Sequence, residues 1–221
     1  MSFATYMKGL RTNKSESQVN MAKILEISVT AIKLIENGDT KFPSGKVLKK
    51  LCEYTDSSPI DVMTGIMFGD ENDPEKDDTY LIHRFLAYMH LEGWNIESYP
   101  YIIPLMGTAT RTFDAKITKK RANKNVQVIC SYDRFLVRLS MDEVLEYKNT
   151  IGYISDAVAL ILAIMEPFKG LIILFDPNDE KQKEMFDLFD ENIYCHVDFN
   201  IDMVLFDPVN GKIISTKRVT K

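Results

Sequence analysis

The stretch Ser17-Gln18-Val19-Asn20-Met21-Ala22-Lys23-Ile24-Leu25-Glu26-Ile27-Ser28-Val29-Thr30-Ala31-Ile32-Lys33-Leu34-Ile35-Glu36-Asn37-Gly38 decides the reading of the first third of this chain. From Ser17 to Leu25 the apolar residues Val19, Met21, Ala22, Ile24 and Leu25 recur at helical spacing, while Gln18, Asn20 and Lys23 fall on the wetter side. Ala22 stands where two helices must cross closely, and a larger side chain there would wedge them apart. Glu26-Ile27-Ser28 makes a short turn, with the Ser28 hydroxyl placed to cap a second helix that begins near Val29. Along that helix Ile32 and Ile35 point into a small core, which leaves Val29, Thr30, Lys33 and Leu34 on the outer surface.

From about Arg11 to Met63 this pattern resembles the helix-turn-helix domain of the phage repressor and Cro (XRE) family. The resemblance implies an all-α, five-helix N-terminal domain that lays the helix from Val29 into the major groove of double-stranded DNA. It also implies a buried ion pair between Arg11 and Glu36 that ties the first helix to the recognition helix. Gln18 then holds the DNA backbone and touches a base, with Ser17 and Ser28 at the two helix starts in the same DNA-binding set. Asn37, Thr40 and Lys41 match the loop that grips the next phosphates, contacts that set position rather than sequence. Glu26 departs from the family, which favours glycine here because the backbone is left-handed, a conformation costing a non-glycine residue about 1 kcal/mol. The outward Val29, Thr30 and Leu34 carry no side chain able to make a bidentate bond to a purine, so the expected contacts are to thymine methyl groups in an A/T-containing site.

Charge qualifies this expectation. Met1 to Asp70 holds nine Lys/Arg against eight Asp/Glu, and the remainder eighteen against twenty-four. Affinity for duplex DNA rests largely on neutralising phosphates, so a nearly neutral module gains from being doubled, and a homodimer is expected. With 221 residues and an apolar fraction of 45%, the chain has room for two domains. Its longest apolar stretch, Ala157 to Met165, falls well short of the roughly 18 residues that suggest a membrane span. The first residues lack a basic segment followed by an apolar core, so a cytoplasmic protein with Cys52, Cys130 and Cys195 as reduced thiols is expected.

The organisation predicts a DNA-binding domain over 1–69, an acidic linker over 70–78 and a mixed α/β domain over 79–221. Helices are expected from Ser44 to Tyr54 and from near Pro59 in the first domain. In the second, a helix from Thr79 to Trp94 precedes strands at Tyr99–Leu105, Thr112–Ile117, Val126–Cys130 and Phe135–Leu139. Then come a helical region from Met141 to Met165, a buried strand Gly170–Phe175, a helix Asp179–Phe189, and a hairpin whose strands flank the turn Pro208-Val209-Asn210-Gly211.

The order of helix, strands, helix and strand resembles the restriction-endonuclease-like core, whose active members hold a divalent metal with an Asp and a Glu-x-Lys. Asp114 would match the first acid, but Gln127 and Ile129 would replace the glutamate and the lysine, which implies a degenerate, non-catalytic domain. Cys195-His196 with Asp198 cannot converge simply, because adjacent strand residues face opposite sides. His83 and His90 share a helix face without further ligands, and no glycine-rich phosphate loop follows a predicted strand. No catalytic residue, metal or cofactor is therefore expected. The sequence predicts a DNA-binding transcriptional regulator whose second domain dimerises and is a candidate for sensing a small-molecule or protein effector. Its rivals are an antitoxin-like autorepressor and a DNA nuclease.

Overall fold

The computed structural model describes residues 1–69, 79–104, 110–121, 131–139, 169–188 and 200–219. They form two compact units, Met1–Ala87 and Tyr88–Lys221, the first helical and the second α/β. The expected linker at 70–78 lies outside the described residues, and the division between units falls inside a helix that follows it.

The helical unit contains α1 (Phe3–Asn13), α2 (Gln18–Ile24), α3 (Val29–Asn37), α4 (Gly45–Thr55) and α5 (Pro59–Phe68), followed by the first part of α6 (Tyr80–Leu91). Each of the first five begins at a serine: Ser2, Ser17, Ser28, Ser44 and Ser58 accept hydrogen bonds from the backbone N–H three residues on. These hydroxyls satisfy donors that a helix start leaves unpaired. At Ser58 the cap is reciprocal, with Asp61 accepting from the Ser58 N–H. α1 packs on α3 and α5, α2 on α3, and α4 on α5. Phe3, Met7, Met21, Ala22, Leu25, Ile32, Leu51 and Met63 are buried in this unit. Asp61 also pairs with the buried Arg84, and Phe68 stacks on His83 at 4.1 Å between ring centroids, so α5 and the start of α6 are joined by charge and by ring contact. His83 is further engaged with the Thr79 hydroxyl.

In the second unit α6 ends at Leu91 rather than at the expected Trp94. Gly93, at φ 84°, takes a left-handed turn, and the Trp94 N–H returns to the Met89 carbonyl. The strands are β1 (Asn95–Ser98), β2 (Tyr101–Pro104), β3 (Thr110–Phe113), β4 (Ala115–Arg121), β5 (Ser131–Leu139), β6 (Gly170–Phe175), β7 (Asn200–Asp207) and β8 (Lys212–Arg218), with α7 (Glu180–Leu188) between β6 and β7. Six of them form a mixed sheet in the order β1-β4-β5-β6-β7-β8, parallel at β5–β6 and β6–β7 and antiparallel elsewhere. β2 and β3 form a separate antiparallel pair.

β6 is buried along its whole length, as its unbroken apolar run requires of a central parallel strand. α7 packs Met185 and Phe186 inward, with Phe186 edge-on to Phe175. Two strand expectations are corrected. The run Thr112–Ile117 is divided at Asp114, where the chain leaves the β2–β3 pair and enters the large sheet. β1 is an addition to the expected strands, because Asn95-Ile96-Glu97-Ser98 shows too little alternation to stand out. The regions expected as a strand at Val126–Cys130 and as helix from Met141 to Met165 lie outside the described residues, as do Cys130, Cys195, His196 and Asp198.

Candidate nucleic-acid interface

The interface begins with the turn between α2 and α3. Leu25, Glu26 and Ile27 return their N–H groups to Met21, Lys23 and Ala22, which closes α2 and brings α3 back across it. Met21, Ala22 and Leu25 face inward against Ile32 and Ile35 of α3. Val19, expected on that inward side, is instead 52% exposed. It precedes Met21 by two residues, about 200° around a helix, and therefore lies on the opposite face.

Glu26 sits at φ 53°, a left-handed conformation that side chains adopt at a cost. Its carboxylate is held by two lysines of α4, Lys50 at 2.9 Å and Lys46 at 3.3 Å, which keep it below the ordinary carboxylate range. The turn is thus tied to α4 through a residue that glycine could not supply. The helix-turn-helix pattern does not single out Lys46 and Lys50, although their spacing of four places them on one face of α4.

Behind this surface lies a polar cluster centred on Glu36, which is 3% exposed. Arg11 donates from Nε to Glu36 Oε1 at 2.7 Å and from Nη2 to Oε2 at 3.3 Å, a two-point contact joining α1 to α3. Arg11 Nη1 also donates to the Glu16 carbonyl at 3.1 Å. Gln18 Nε2 donates to Glu36 Oε2 at 2.8 Å, so its amide nitrogen is engaged inside the protein. Burial would raise the Glu36 pKa, but the hydrogen bonds from Arg11 and Gln18, with the charges of Arg11 and Lys8, hold it below its usual value.

On the outside, Thr30, Lys33, Asn37 and Lys41 are exposed, Val29 and Thr40 are half-buried, and Leu34 is 46% exposed. Ser17 and Ser28 spend their hydroxyls on the caps, accepting from Asn20 and Ala31 at 3.1 Å each. α3 ends at Gly38, φ 88°, with the Gly38 and Asp39 N–H groups returning to Ile35 and Leu34. The following loop carries Thr40, Lys41 and Phe42, and Phe42 is a further exposed apolar side chain at 39%. A convex helix with a mixed polar and apolar outer face, flanked by exposed lysines, suits a groove bounded by phosphates.

In the second unit, the expected remnant of a metal site starts from Asp114, which immediately precedes β4. The next strand in the chain is β5, whose sequence Ser131-Tyr132-Asp133-Arg134-Phe135-Leu136-Val137-Arg138-Leu139 contains no Glu-x-Lys. Gln127 and Ile129, the degenerate positions of the expected motif, lie outside the described residues. Lys116 is buried and pairs with Glu97 at 3.2 Å. Burial pushes the His90 pKa down and favours the neutral ring. Among the described residues no group of three or more His, Cys, Asp or Glu comes together to hold a metal, and no helix is long and apolar enough to cross a membrane. Comparison with protein families, with curated proteins and with solved structures gives no match.

Proposed function

We propose that the chain is a cytoplasmic, sequence-specific DNA-binding transcriptional regulator with a repressor-like helix-turn-helix in its first 69 residues. The observation that carries this reading is the α2–turn–α3 unit, with Glu36 clamped from behind by Arg11 and Gln18 and with Thr30, Lys33 and Leu34 on the outer face of α3. The buried cluster fixes the pitch of α3 relative to α1, while the outer side chains stay free of helix–helix packing. In this reading Thr30 and Leu34 contact thymine methyl groups and Lys33, Asn37, Thr40 and Lys41 contact phosphates. Gln18 acts mainly from within, since one N–H of its amide is donated to Glu36.

The near balance of charge in residues 1–70 supports a dimer that engages two half-sites. The α/β unit is assigned to oligomerisation and to receiving the signal that governs binding. The test is selection of bound sequences from a random duplex library with the purified chain. It is expected to return A/T-containing half-sites repeated at about one helical turn or a multiple of it. Recovery of no enriched sequence would overturn the proposal.

A further inference from the structure

The two sides of α1 do different work. Phe3, Met7 and Arg11 follow one another at intervals of four and serve the helical unit, the first two buried and the third clamped on Glu36. The neighbouring rows, Tyr6-Leu10-Lys14 and Thr5-Gly9-Asn13, instead line an open cleft of about 380 Å³, to which Met1 and, from the end of α4, Thr55 also contribute. A volume of this order is that of a small-molecule site. None of its lining residues belongs to α2, α3 or the loop that follows them.

Two features set the cleft apart from an incidental gap between helices. The first is Gly9, in the middle of an eleven-residue helix, where glycine is the costliest residue short of proline. No helix crossing requires it, because a Cβ there would meet nothing within 4 Å beyond its own helix. Its missing side chain keeps the floor of the cleft open between Thr5 and Asn13. The second is a sorting of polarity along α1. Met1, Tyr6 and Leu10 supply apolar surface over its first turns, and the Asn13 amide and the Lys14 ammonium stand at its end. Neither of those two groups has a hydrogen-bond partner in the protein, and Lys14 is held over the Tyr54 ring at 4.8 Å. No carboxylate is among the described residues that line the cleft. Glu16, which follows shortly after Lys14, accepts from the Asn20 amide and the Tyr54 hydroxyl.

We propose that this cleft binds a small organic carboxylate, its acid group taken by Lys14 and Asn13 and its apolar body lying over Gly9 against Leu10 and Tyr6. One cation and one amide suit a single negative charge through charge-assisted hydrogen bonds. A phosphate ester, with nearly two charges, would be left partly unmatched, and a nucleic acid needs a row of cations that the cleft lacks. The site lies on the helix from which Arg11 anchors α3 through Glu36. The inference does not depend on α3 entering DNA.

The experiment titrates sodium benzoate into the full chain labelled with nitrogen-15 and follows the backbone amide resonances, with benzamide as the uncharged match in shape. Benzoate is expected to give saturable shifts grouped at Thr5 to Lys14 and at Thr55, with half-saturation on the order of 1 mM. Benzamide is expected to bind roughly fivefold more weakly, for want of the charge-assisted contact. Lys14→Gln is expected to bring benzoate down to the level of benzamide. Gly9→Leu, which favours the helix and places a side chain over the open floor, is expected to keep the far-UV circular dichroism of wild type and to abolish both titrations. Benzoate shifts that do not saturate or that scatter over the chain would overturn the site. So would benzamide binding as tightly as benzoate, or benzoate binding undiminished in Lys14→Gln or in Gly9→Leu.

Discussion

Glu36 is the residue on which the helical unit is most exposed to perturbation, because it is charged, buried and satisfied by two side chains, Arg11 and Gln18. Removing one partner of a buried pair strands the other, at a cost of about 3 kcal/mol, whereas an exposed pair is worth a fraction of that. Arg11→Ala is therefore expected to shift the unfolding of the helical unit by that order. Far-UV circular dichroism in a urea titration follows it, while the single tryptophan, Trp94, lies in the other unit and gives a transition that stays in place. Because the Glu36 pKa is lowered on folding, its contribution is complete above an unfolded value of about 4.3 and is lost as the pH falls through the lower folded value. Glu36→Gln is expected to remove that part of the acid dependence, seen as a flatter plot of urea midpoint against pH below about 4.3; an unaltered plot would show that the cluster is not the titrating element. Glu26 poses the opposite balance. Glu26→Gly relieves left-handed strain of about 1 kcal/mol but loses the exposed pairs with Lys46 and Lys50. Salt weakens the pairs and not the strain, so the variant is expected to gain stability relative to wild type as ionic strength rises. A difference independent of salt would mean that these pairs contribute nothing.

At the scale of elements, α3 is short, nine residues, and cannot persist on propensity alone. It is held by packing of Ile32 and Ile35, by the Ser28 cap at its start and by Gly38 in the left-handed region at its end. Ser28→Ala and Gly38→Ala are each expected to cost about 1 kcal/mol, and the two to add because they act at opposite ends. Denaturation of the single and double variants checks this; a double variant no worse than either single would place the constraint in the core. The sheet shows the same dependence on context. β6 shows its place in its own sequence, since an unbroken apolar run can satisfy itself only between two neighbours with both faces covered. β1 has no such signature and exists because β4 offers it an edge.

At the scale of the molecule, the proposed division of labour is between a helical unit that reads sequence and an α/β unit that supplies assembly. Thr30→Ala with Leu34→Ala is expected to change the sequences recovered from a library, and Lys41→Ala to weaken all of them alike and lower the salt slope by about 1. Equal effects from both would remove the distinction between reading and anchoring. The sequence by itself determined α2, the turn, α3 and its Ser28 cap, together with β6, α7 and the closing hairpin. These rest on local causes: periodicity, the Ser28 hydroxyl at a helix start, and turn residues such as Pro208 to Gly211. The positive φ at Glu26 was expected from the family resemblance, in which this turn position favours glycine. Only the tertiary structure decided that Gln18 donates inward to Glu36, that Val19 faces out, that Glu26 reaches two lysines of α4, and that Asp114 marks a change of sheet. Each of these depends on which distant segment arrives alongside, and register and helix crossing are settled by the packing of many side chains together rather than by any local pattern.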